Sequence, residues 1–279
     1  MELLAFRRPG WTPHPNQIAS MARQLRKSQR QEKILAALHL NPSLRVHQLS
    51  DTLAVSAETV RRDLAELDKS GKIKRTYGGA VRAQEFEPAL SERLMLNVRE
   101  RQAIAERTVG LLRGVEAMLI GGGSTTLHFA KALSATEQPL TVITPAYNVA
   151  MELSRNPRIE VICLPGTFDG HEGLVHGPST ISALARFHLP VAVIGVSGLH
   201  RAGISEAMPG AAEVYQAIIT NADRVFIVAD SSKFNKRALT LLSDWQNNFT
   251  LVTDAEPEGE LRAALQDRGA SIEIAEPAN

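Results

Sequence analysis

Short apolar runs alternate with helical stretches from Ala117 to the end of the chain. The runs read AMLIG, LTVIT, IEVICL, VAVIGV, RVFIVAD, FTLVTD and SIEIA, and stretches such as TLHFAKAL, AYNVAMEL, PSTISALARF, AAEVYQAIITNA and EGELRAALQDR separate most of them. Near-continuous apolar strands are typical of sheets that helices cover on both faces. The pattern therefore predicts an α/β fold with an open, mostly parallel sheet, whose ligands bind beyond the carboxyl ends of the strands.

A glycine-rich loop, GGGSTT at residues 121–126, follows the first of these runs. Glycines let the backbone approach an anion, and the amide and hydroxyl groups at the start of a helix can cradle a phosphate. The loop lacks the GKS/T ending of a Walker A motif and the spacing of the GxGxxG dinucleotide fingerprint. The alternative is that the glycines serve only the steric needs of a strand-to-helix turn. We predict effector contacts at Gly122, Gly123, Ser124, Thr125 and Thr126.

Two other strand ends carry groups suited to an anionic ligand. Lys233, after RVFIVAD, can neutralise a phosphate or carboxylate, and Asp230 can hold a hydroxyl group or position the lysine. Ser197 and Gly198 follow VAVIGV, and their small side chains permit close approach of a ligand. The alternative for Lys233 is an exposed side chain on a capped turn. Together the three strand ends favour a small phosphorylated sugar or polyol, with contacts at Ser197, Gly198, Asp230 and Lys233.

The N-terminal part of the chain has a different pattern. In SAETVRRDLAEL, residues 56–67, Ser56 can cap a helix whose inward face carries Val60, Leu64 and Leu67. An amphipathic helix is expected from Ser28. A second, short apolar stripe consists of Val46, Leu49 and Leu53. After the main helix, Gly71 is a stop signal and IKRTYGG predicts a strand that turns at Gly78-Gly79. Helix, turn, helix and basic hairpin predict a winged helix-turn-helix.

Charge separates the two parts. Residues 1–82 contain 15 Lys and Arg against 7 Asp and Glu, and the remaining residues contain 16 against 23, so net charges of +8 and −7 underlie the overall +1. A basic unit on an acidic body fits one part that binds a polyanion. A recognition helix reads the major groove with its N-terminal residues. The alternative for Arg61 and Arg62 is a solvated helix face. We predict DNA contacts at Ser56, Thr59, Arg61, Arg62, Lys74, Arg75, Tyr77 and Gly78.

The segments VSAETVRRDLAEL and RTYGGA resemble the N-terminal domain of the DeoR family of bacterial transcriptional regulators. GGGSTT, TVIT, LPGTF, HGP, ADSSKFN and VTDA are similar, in order, to the family's effector domain, whose fold is similar to ribose-5-phosphate isomerase. The resemblance implies a regulator, expected to be a repressor, that binds double-stranded operator DNA through Thr59, Arg61, Arg62 and Arg75. It also implies that a phosphorylated sugar or sugar derivative is sensed by the glycine/threonine loop and Lys233.

Two positions depart from the family pattern. Pro190 stands where the family usually has an aspartate, and Tyr215 stands where it usually has a lysine. If that lysine helps to bind effector anions, its loss gives Lys233 a larger share of the positive charge. An unusual effector, or none, is therefore an open alternative.

The likeness to an isomerase raises the alternative of a sugar-phosphate isomerase-like enzyme. Aldose–ketose isomerisation needs a positioned carboxylate base. The corresponding stretch here reads VIGVSGLH, with Ser197 and Gly198 in place of acidic residues. We therefore predict no catalytic residues and no enzymatic activity. A nucleic-acid-binding structural protein without a small ligand is the third possibility.

The predicted domain order is a flexible extension at 1–27, the winged helix-turn-helix at 28–82, a linker at 83–92 and the effector-sensing α/β domain at 93–279. A long helix is expected from about Glu92 to Leu112, because Leu94, Val98 and Ile104 are spaced for one face. One winged helix covers too little DNA for strong specificity, so a homo-oligomer, a dimer or tetramer, is expected to bind repeated or palindromic half-sites.

The sequence also predicts what the chain lacks. Cys163 lies in the apolar run IEVICLPG and is expected to be a buried strand residue. The spacing of His171, His176 and His200 is no metal signature, and we predict neither a metal nor a cofactor. No apolar run approaches the roughly 20 residues that span a bilayer, and no signal-peptide pattern is present. We therefore expect a cytoplasmic protein without a membrane partner.

Overall fold

The computed structural model describes residues 27, 29–35, 37, 43–69, 73–76, 79–82 and 88–276. The chain divides into two compact units, residues 1–86 and 87–279. The predicted extension at 1–27 lies outside the described residues except for Lys27, and so do Gly71, Tyr77, Gly78 and residues 83–87 of the predicted linker. Of the helices that the structure describes, none is both long enough and apolar enough to cross a membrane.

The first unit packs helices against a small antiparallel sheet. Residues 29–35 are helical, α1 spans Val46–Leu53 and α2 spans Ala57–Lys69. Strands β1 (Ser43–Arg45), β2 (Ile73–Thr76) and β3 (Gly79–Arg82) pair in the order β1-β3-β2. The core of this unit consists of Ile34, Leu49, Val60, Leu64 and Leu67, each at most 2% exposed. The predicted helix-turn-helix and hairpin are confirmed, whereas β1 is too short to have been predicted from its period.

The turn between α1 and α2 is tight because its polar groups bond locally. Ala54 adopts φ +51°, in the left-handed region, and so ends α1. The Val55 amide donates to the Ser50 carbonyl at 3.2 Å, and the Ser50 hydroxyl donates to the Val55 carbonyl at 2.6 Å. The connection predicted at Ala54-Val55 is therefore confirmed, and the local bonds fix the angle at which α2 begins.

The second unit begins with a break where the sequence predicted one long helix. Helix α3 covers only Leu90–Arg93, and α4 begins at Val98 and runs to Leu111. Between them Asn97 adopts φ +50°, and its side chain donates to an Asp230 carboxylate oxygen at 2.9 Å. The prediction of one continuous helix is wrong. Apolar spacing carries no information on the hydrogen bond from Asn97 to Asp230, which holds the chain in a left-handed turn.

The remaining elements alternate as the sequence predicts. The strands are β4 Ala117–Ile120, β5 Leu140–Thr144, β6 Ile159–Cys163, β7 Thr167–Asp169, β8 Leu174–His176, β9 Leu189–Ile194, β10 Gly198–His200, β11 Gly203–Glu206, β12 Ala222–Val228, β13 Thr240–Ser243, β14 Phe249–Thr253 and β15 Ser271–Ile274. The helices are α5 Ser124–Ser134, α6 Tyr147–Leu153, α7 Pro178–Leu184, α8 Pro209–Thr220 and α9 Gly259–Asp267.

The seven apolar runs become one seven-stranded sheet in the order β15-β14-β12-β9-β4-β5-β6. Every neighbouring pair in this sheet is parallel, which confirms the predicted fold class. The strand order reverses at β4, since the chain proceeds from β4 to β5 and β6 on one side and later continues with β9 on the other. The crevice between β4 and β9 is therefore the topological switch point, where such sheets bind ligands.

Several short strands lie outside this sheet. Strands β7 and β8 form a hairpin, and β10, β11 and β13 form a second small antiparallel sheet. Their three or four residues are too few to show a period in the sequence. Cys163 corrects a prediction: it lies on a strand, β6, but it is exposed, because β6 is at the edge of the sheet and is incompletely covered.

Candidate functional sites

The N-terminal end of α2 is built by Ser56. The Thr59 amide donates to the Ser56 hydroxyl oxygen at 3.2 Å, and the two hydroxyl groups lie 2.9 Å apart. Ser56 therefore acts as the predicted N-cap, and its hydroxyl already has partners within the helix. Both hydroxyl groups lie at the N-terminal end of α2, which is the end that a recognition helix presents to DNA.

Two exposed arginines follow this cap. The side chains of Arg61 and Arg62 are 57% and 77% exposed, while Val60 and Leu64 on the opposite face are buried. Glu58 lies 3.7 Å from Arg61 Nη1 and 3.4 Å from Arg62 Nε. At this exposure the pairs are weak and can be exchanged for a stronger anion. The first unit thus presents two cations and a capped helix end on a surface that its own core leaves open.

The same helix carries a buried acidic residue that sequence reasoning missed. Asp63 is 2% exposed and accepts from Arg30 Nη2 at 2.9 Å and from Arg30 Nε. The hydrogen bond with Asp63 raises the pKa of Arg30. The pair joins the helix at 29–35 to α2, so it fixes the orientation of α2 within this unit. Sequence reasoning missed the pair because Arg30 and Asp63 are 33 residues apart and no local pattern links them.

The predicted wing contacts are only partly described. Lys74 and Arg75 lie on β2, whose pairing with β3 is as predicted, but their side chains lie outside the described residues. Tyr77 and Gly78 lie wholly outside them.

A pocket lies in the second unit at the carboxyl ends of β4, β9 and β12; we call it the switch-point pocket. It has an empty volume of about 410 Å³, a figure that includes space open to solvent. The predicted residues that line it are Gly122, Gly123, Ser124, Thr125, Ser197 and Lys233. The sequence argument missed Arg93, Glu172, Glu206, Leu174 and Met208, which also line it. The structure thus brings the three predicted strand ends together at one site.

Three predicted effector residues do not line the pocket. Thr126 is fully buried and its hydroxyl donates to the Gly123 carbonyl at 3.0 Å. Gly198 packs against backbone, since a Cβ added there would lie 2.5 Å from the Lys236 carbonyl oxygen. Asp230 is 1% exposed and bonded to other side chains. The three shape the walls and turns behind the pocket surface.

Glycine is required at the three positions of the loop for two different physical reasons. A Cβ at Gly121 would lie 3.1 Å from the Tyr215 ring, and one at Gly122 would lie 3.1 Å from Leu174, so both are needed for close packing. Gly123 instead adopts φ +117° as the N-cap of α5, and a Cβ there would meet only Thr126 Oγ1, at 3.7 Å. The steric alternative therefore explains the first two glycines, while the third is a conformational requirement beside the open pocket.

Tyr215, on α8, occupies the pocket wall close to the glycine loop. Its hydroxyl donates to the Gly122 carbonyl at 3.0 Å, and the side chain is 3% exposed. Burial raises the pKa of the Tyr215 phenol, and the nearby charge of Glu206 raises it further. The residue is therefore neutral and holds the loop in place, whereas a lysine here would add a charge. Pro190, the other departure, lies at the amino end of β9, opposite the pocket.

A buried ion pair supports the turn that carries Lys233. Arg101 Nε lies 2.9 Å from Asp230 Oδ2, and both side chains are at most 2% exposed. Burial opposes ionisation of Asp230, but the hydrogen bond from Ser232 and the charge of Arg101 outweigh it, so the pKa of Asp230 is lowered. The Lys233 amide donates to the Asp230 carbonyl at 3.0 Å. Asp230 thus fixes the 3-10 turn Ser231–Lys233 at the edge of the pocket.

Two carboxylates line the pocket, contrary to the sequence argument that none is available. Glu206 ends β11, and its Oε1 accepts from the Ser197 hydroxyl at 2.9 Å and from the Ala207 and Met208 amides at 2.8 and 3.1 Å. Glu172, in the turn between β7 and β8, is paired with Arg93. The argument was wrong because it searched only one strand end, and both acids come from short strands or turns elsewhere in the chain. Both take part in structural bonds within the site.

The comparisons with known proteins identify both units. Residues 30–86 match the DeoR-like helix-turn-helix domain, and residues 96–255 match the DeoR C terminal sensor domain. The chain belongs to the DeoR family. It is 31% identical over 249 residues to an uncharacterized HTH-type transcriptional regulator, YulB, of Bacillus subtilis (strain 168), covering 88% of this chain and 95% of the relative. It is also 31% identical over 256 residues to the HTH-type transcriptional repressor CsqR of Escherichia coli (strain K12), covering 91% and 97%.

Comparison of the DeoR-family chain with solved structures returns ribose 5-phosphate isomerases. The enzyme from Neisseria gonorrhoeae aligns with 20% identity and a TM-score of 0.37, over 48% of this chain and 52% of the enzyme. The enzyme from Methanocaldococcus jannaschii aligns with 16% identity and a TM-score of 0.37, over 52% and 55%. The relatives that match nearly the whole chain are transcriptional regulators. In the part of the chain that the structure describes, no three His, Cys, Asp or Glu side chains group as a metal site would require.

Proposed function

We propose that this DeoR-family protein is a transcriptional repressor that binds operator DNA and whose operator affinity is controlled by a phosphorylated sugar or sugar derivative. The observation that carries the DNA part is the capped end of α2 with Arg61 and Arg62 exposed beside it. Arginines at this end of a recognition helix reach phosphates and the O6 and N7 atoms of guanine.

The chemistry of the switch-point pocket supports the effector part. The first turn of α5 provides backbone amides and the hydroxyls of Ser124 and Thr125, and Lys233 provides a positive charge. A helix start with an adjacent cation suits a phosphate group. Glu172 and Glu206 are hydrogen-bond acceptors that also line the pocket, and sugar hydroxyls are donors. A ligand with one anionic end and several hydroxyl groups can bind both the phosphate-binding groups and the carboxylate acceptors.

Control of DNA binding requires a coupling free energy between the sites. The effector must favour one state of the protein over another, and this differential affinity sets the limit of its effect on operator binding. We propose that the DNA-binding form is a homo-oligomer, a dimer or tetramer, because two recognition helices one helical turn apart read twice as many base pairs as one.

The effector proposal is tested by thermal stabilisation in the presence of phosphorylated sugars. A ligand at 100 times its dissociation constant stabilises the folded protein by about 2.7 kcal/mol. Lys233→Ala should abolish most of that stabilisation. Lys236→Ala is the matched control, since Lys236 is exposed three residues later and does not line the pocket. Equal stabilisation of both variants would remove Lys233 from the binding site.

The second candidate function is a sugar-phosphate isomerase-like enzyme, which the two pocket carboxylates favour. Base catalysis requires a carboxylate within hydrogen-bond reach of the substrate proton. In this pocket Glu206 accepts three protein donors and Glu172 pairs with Arg93, so each carboxylate already takes part in bonds that a general base would have to give up. Incubation of the purified protein with pentose and hexose phosphates, followed by NMR, distinguishes the functions. Steady turnover would replace the regulator proposal.

A further inference from the structure

We propose that Arg93 is a second cationic contact for the effector and that the ligand's anionic group takes this contact over from Glu172. The inference deepens the proposed sensing function and rests on it.

The charge balance of the pocket motivates the inference. Its described lining contains two basic side chains, Arg93 and Lys233, and two acidic ones, Glu172 and Glu206. A phosphate group that enters brings about two negative charges into a site whose net formal charge is zero. Like charges at short range in a partly buried site repel strongly. Phosphate binding is therefore favourable only if one carboxylate gives up its pairing with a cation and the phosphate takes its place.

Geometry selects the pair that exchanges. Glu206 is held by the Ala207 and Met208 amides at 2.8 and 3.1 Å, which belong to the backbone and cannot be withdrawn. Glu172 is instead held by a side chain, Arg93 Nη2, from an element 79 residues away. A guanidinium presents five donors and prefers bidentate phosphate, so Arg93 can turn to a ligand without moving its backbone. Glu172 lies in the four-residue turn between β7 and β8, so the exchange requires only its carboxylate to release Arg93.

The backbone of Arg93 is fixed by the network that also carries Lys233. The Arg93 carbonyl accepts from Arg101 Nη1, and Arg101 Nε is 2.9 Å from Asp230 Oδ2. Asp230 in turn caps the 3-10 turn that ends at Lys233. The buried Arg101–Asp230 ion pair therefore fixes the backbone at both Arg93 and Lys233, which are far apart in the chain. An anion bound between them would engage both ends of this network.

The place of Arg93 in the chain gives the exchange a consequence. Arg93 ends α3, the first helix of the second unit, and the unit begins at Glu87. A change in the contacts of Arg93 therefore acts on the segment that is covalently joined to the DNA-binding unit.

The test measures binding of inorganic phosphate to the full-length protein by isothermal titration calorimetry. Glu172→Gln removes the competing carboxylate and should tighten phosphate binding by about tenfold. The double variant Arg93→Gln with Glu172→Gln removes both charges, leaves no unpaired ion, and should bind at least about tenfold more weakly than Glu172→Gln alone. Lys236→Gln is the control for loss of a positive charge outside the pocket and should bind as the unchanged protein does.

The outcomes separate this inference from the function on which it rests. If the double variant binds phosphate as tightly as Glu172→Gln, Arg93 is a structural residue only and the inference is overturned. If Glu172→Gln does not fold, the double variant is compared with the unchanged protein: equal or weaker phosphate binding supports the inference, and binding about tenfold tighter overturns it. Phosphate binding that depends on Lys233 but not on this pair leaves the proposed function standing. Absence of binding to the unchanged protein overturns both the inference and the sensing role, while DNA binding is tested separately.

Discussion

Replacement of Arg61 and Arg62 by alanine should strongly weaken operator binding without destabilising the protein. Base-edge contacts of this kind contribute about 1–3 kcal/mol each, so the pair should account for about 2–6 kcal/mol, a loss of at least about 30-fold in affinity. If the arginines contact phosphates instead, the negative slope of log K against log salt concentration should become less steep by about 1.8. The side chains are 57% and 77% exposed, so loss of their pairs with Glu58 should change stability by no more than about 0.5 kcal/mol.

The assay is fluorescence anisotropy with a duplex selected from random DNA by repeated rounds of binding, at salt concentrations between 50 and 300 mM. Arg113→Ala with Arg186→Ala is the matched control, because it removes two exposed arginines from the second unit. Glu58→Gln gives the opposite sign: without this carboxylate, 3.4–3.7 Å from both arginines, DNA binding should tighten. If the arginine variant binds DNA with unchanged affinity and unchanged salt dependence, the assignment of α2 as the recognition helix is refuted.

Three further predictions concern stability. Leu64→Ala should cost the first unit about 2–5 kcal/mol, because Leu64 is 1% exposed in a small core, and a single unshifted transition in circular dichroism would contradict this. Gly123→Ala should cost about 1–3 kcal/mol on account of φ +117°, whereas Gly110→Ala, in α4 with no atom near the added Cβ, should be neutral or stabilising in the same urea titration. The lowered pKa of Asp230 means that its carboxylate contributes stability above its ordinary value of 3.8 and loses that contribution as pH falls through the folded-state pKa. The stability gap between the unchanged protein and Asp230→Asn should therefore close below about pH 4, and a gap that persists in acid would show that Asp230 acts otherwise than through its charge.

Much of the candidate site was predictable because its residues are local in sequence. The loop at 121–126, Ser197 and Lys233 each follow an apolar run, and a parallel sheet places the carboxyl ends of its strands at one edge. Arg93, Glu172 and Glu206 gave no comparable signal. They lie in a segment predicted to be linker or helix start, in a turn and at the end of a four-residue strand, and only their meeting makes them part of the pocket.

The sequence by itself determined the seven parallel strands, the helix-turn-helix and the separation of charge between the two units, because each depends on residue periodicity or composition within a short window. Only the tertiary structure decided the break of the predicted long helix at Asn97, the exposure of Cys163 and the pairing of Arg93 with Glu172. These depend on contacts between residues far apart in the chain, such as Asn97 with Asp230, and on which strand lies at the edge of the sheet. Apolar spacing carries no information on either, because a pattern along one segment does not specify the partner that the segment meets in space.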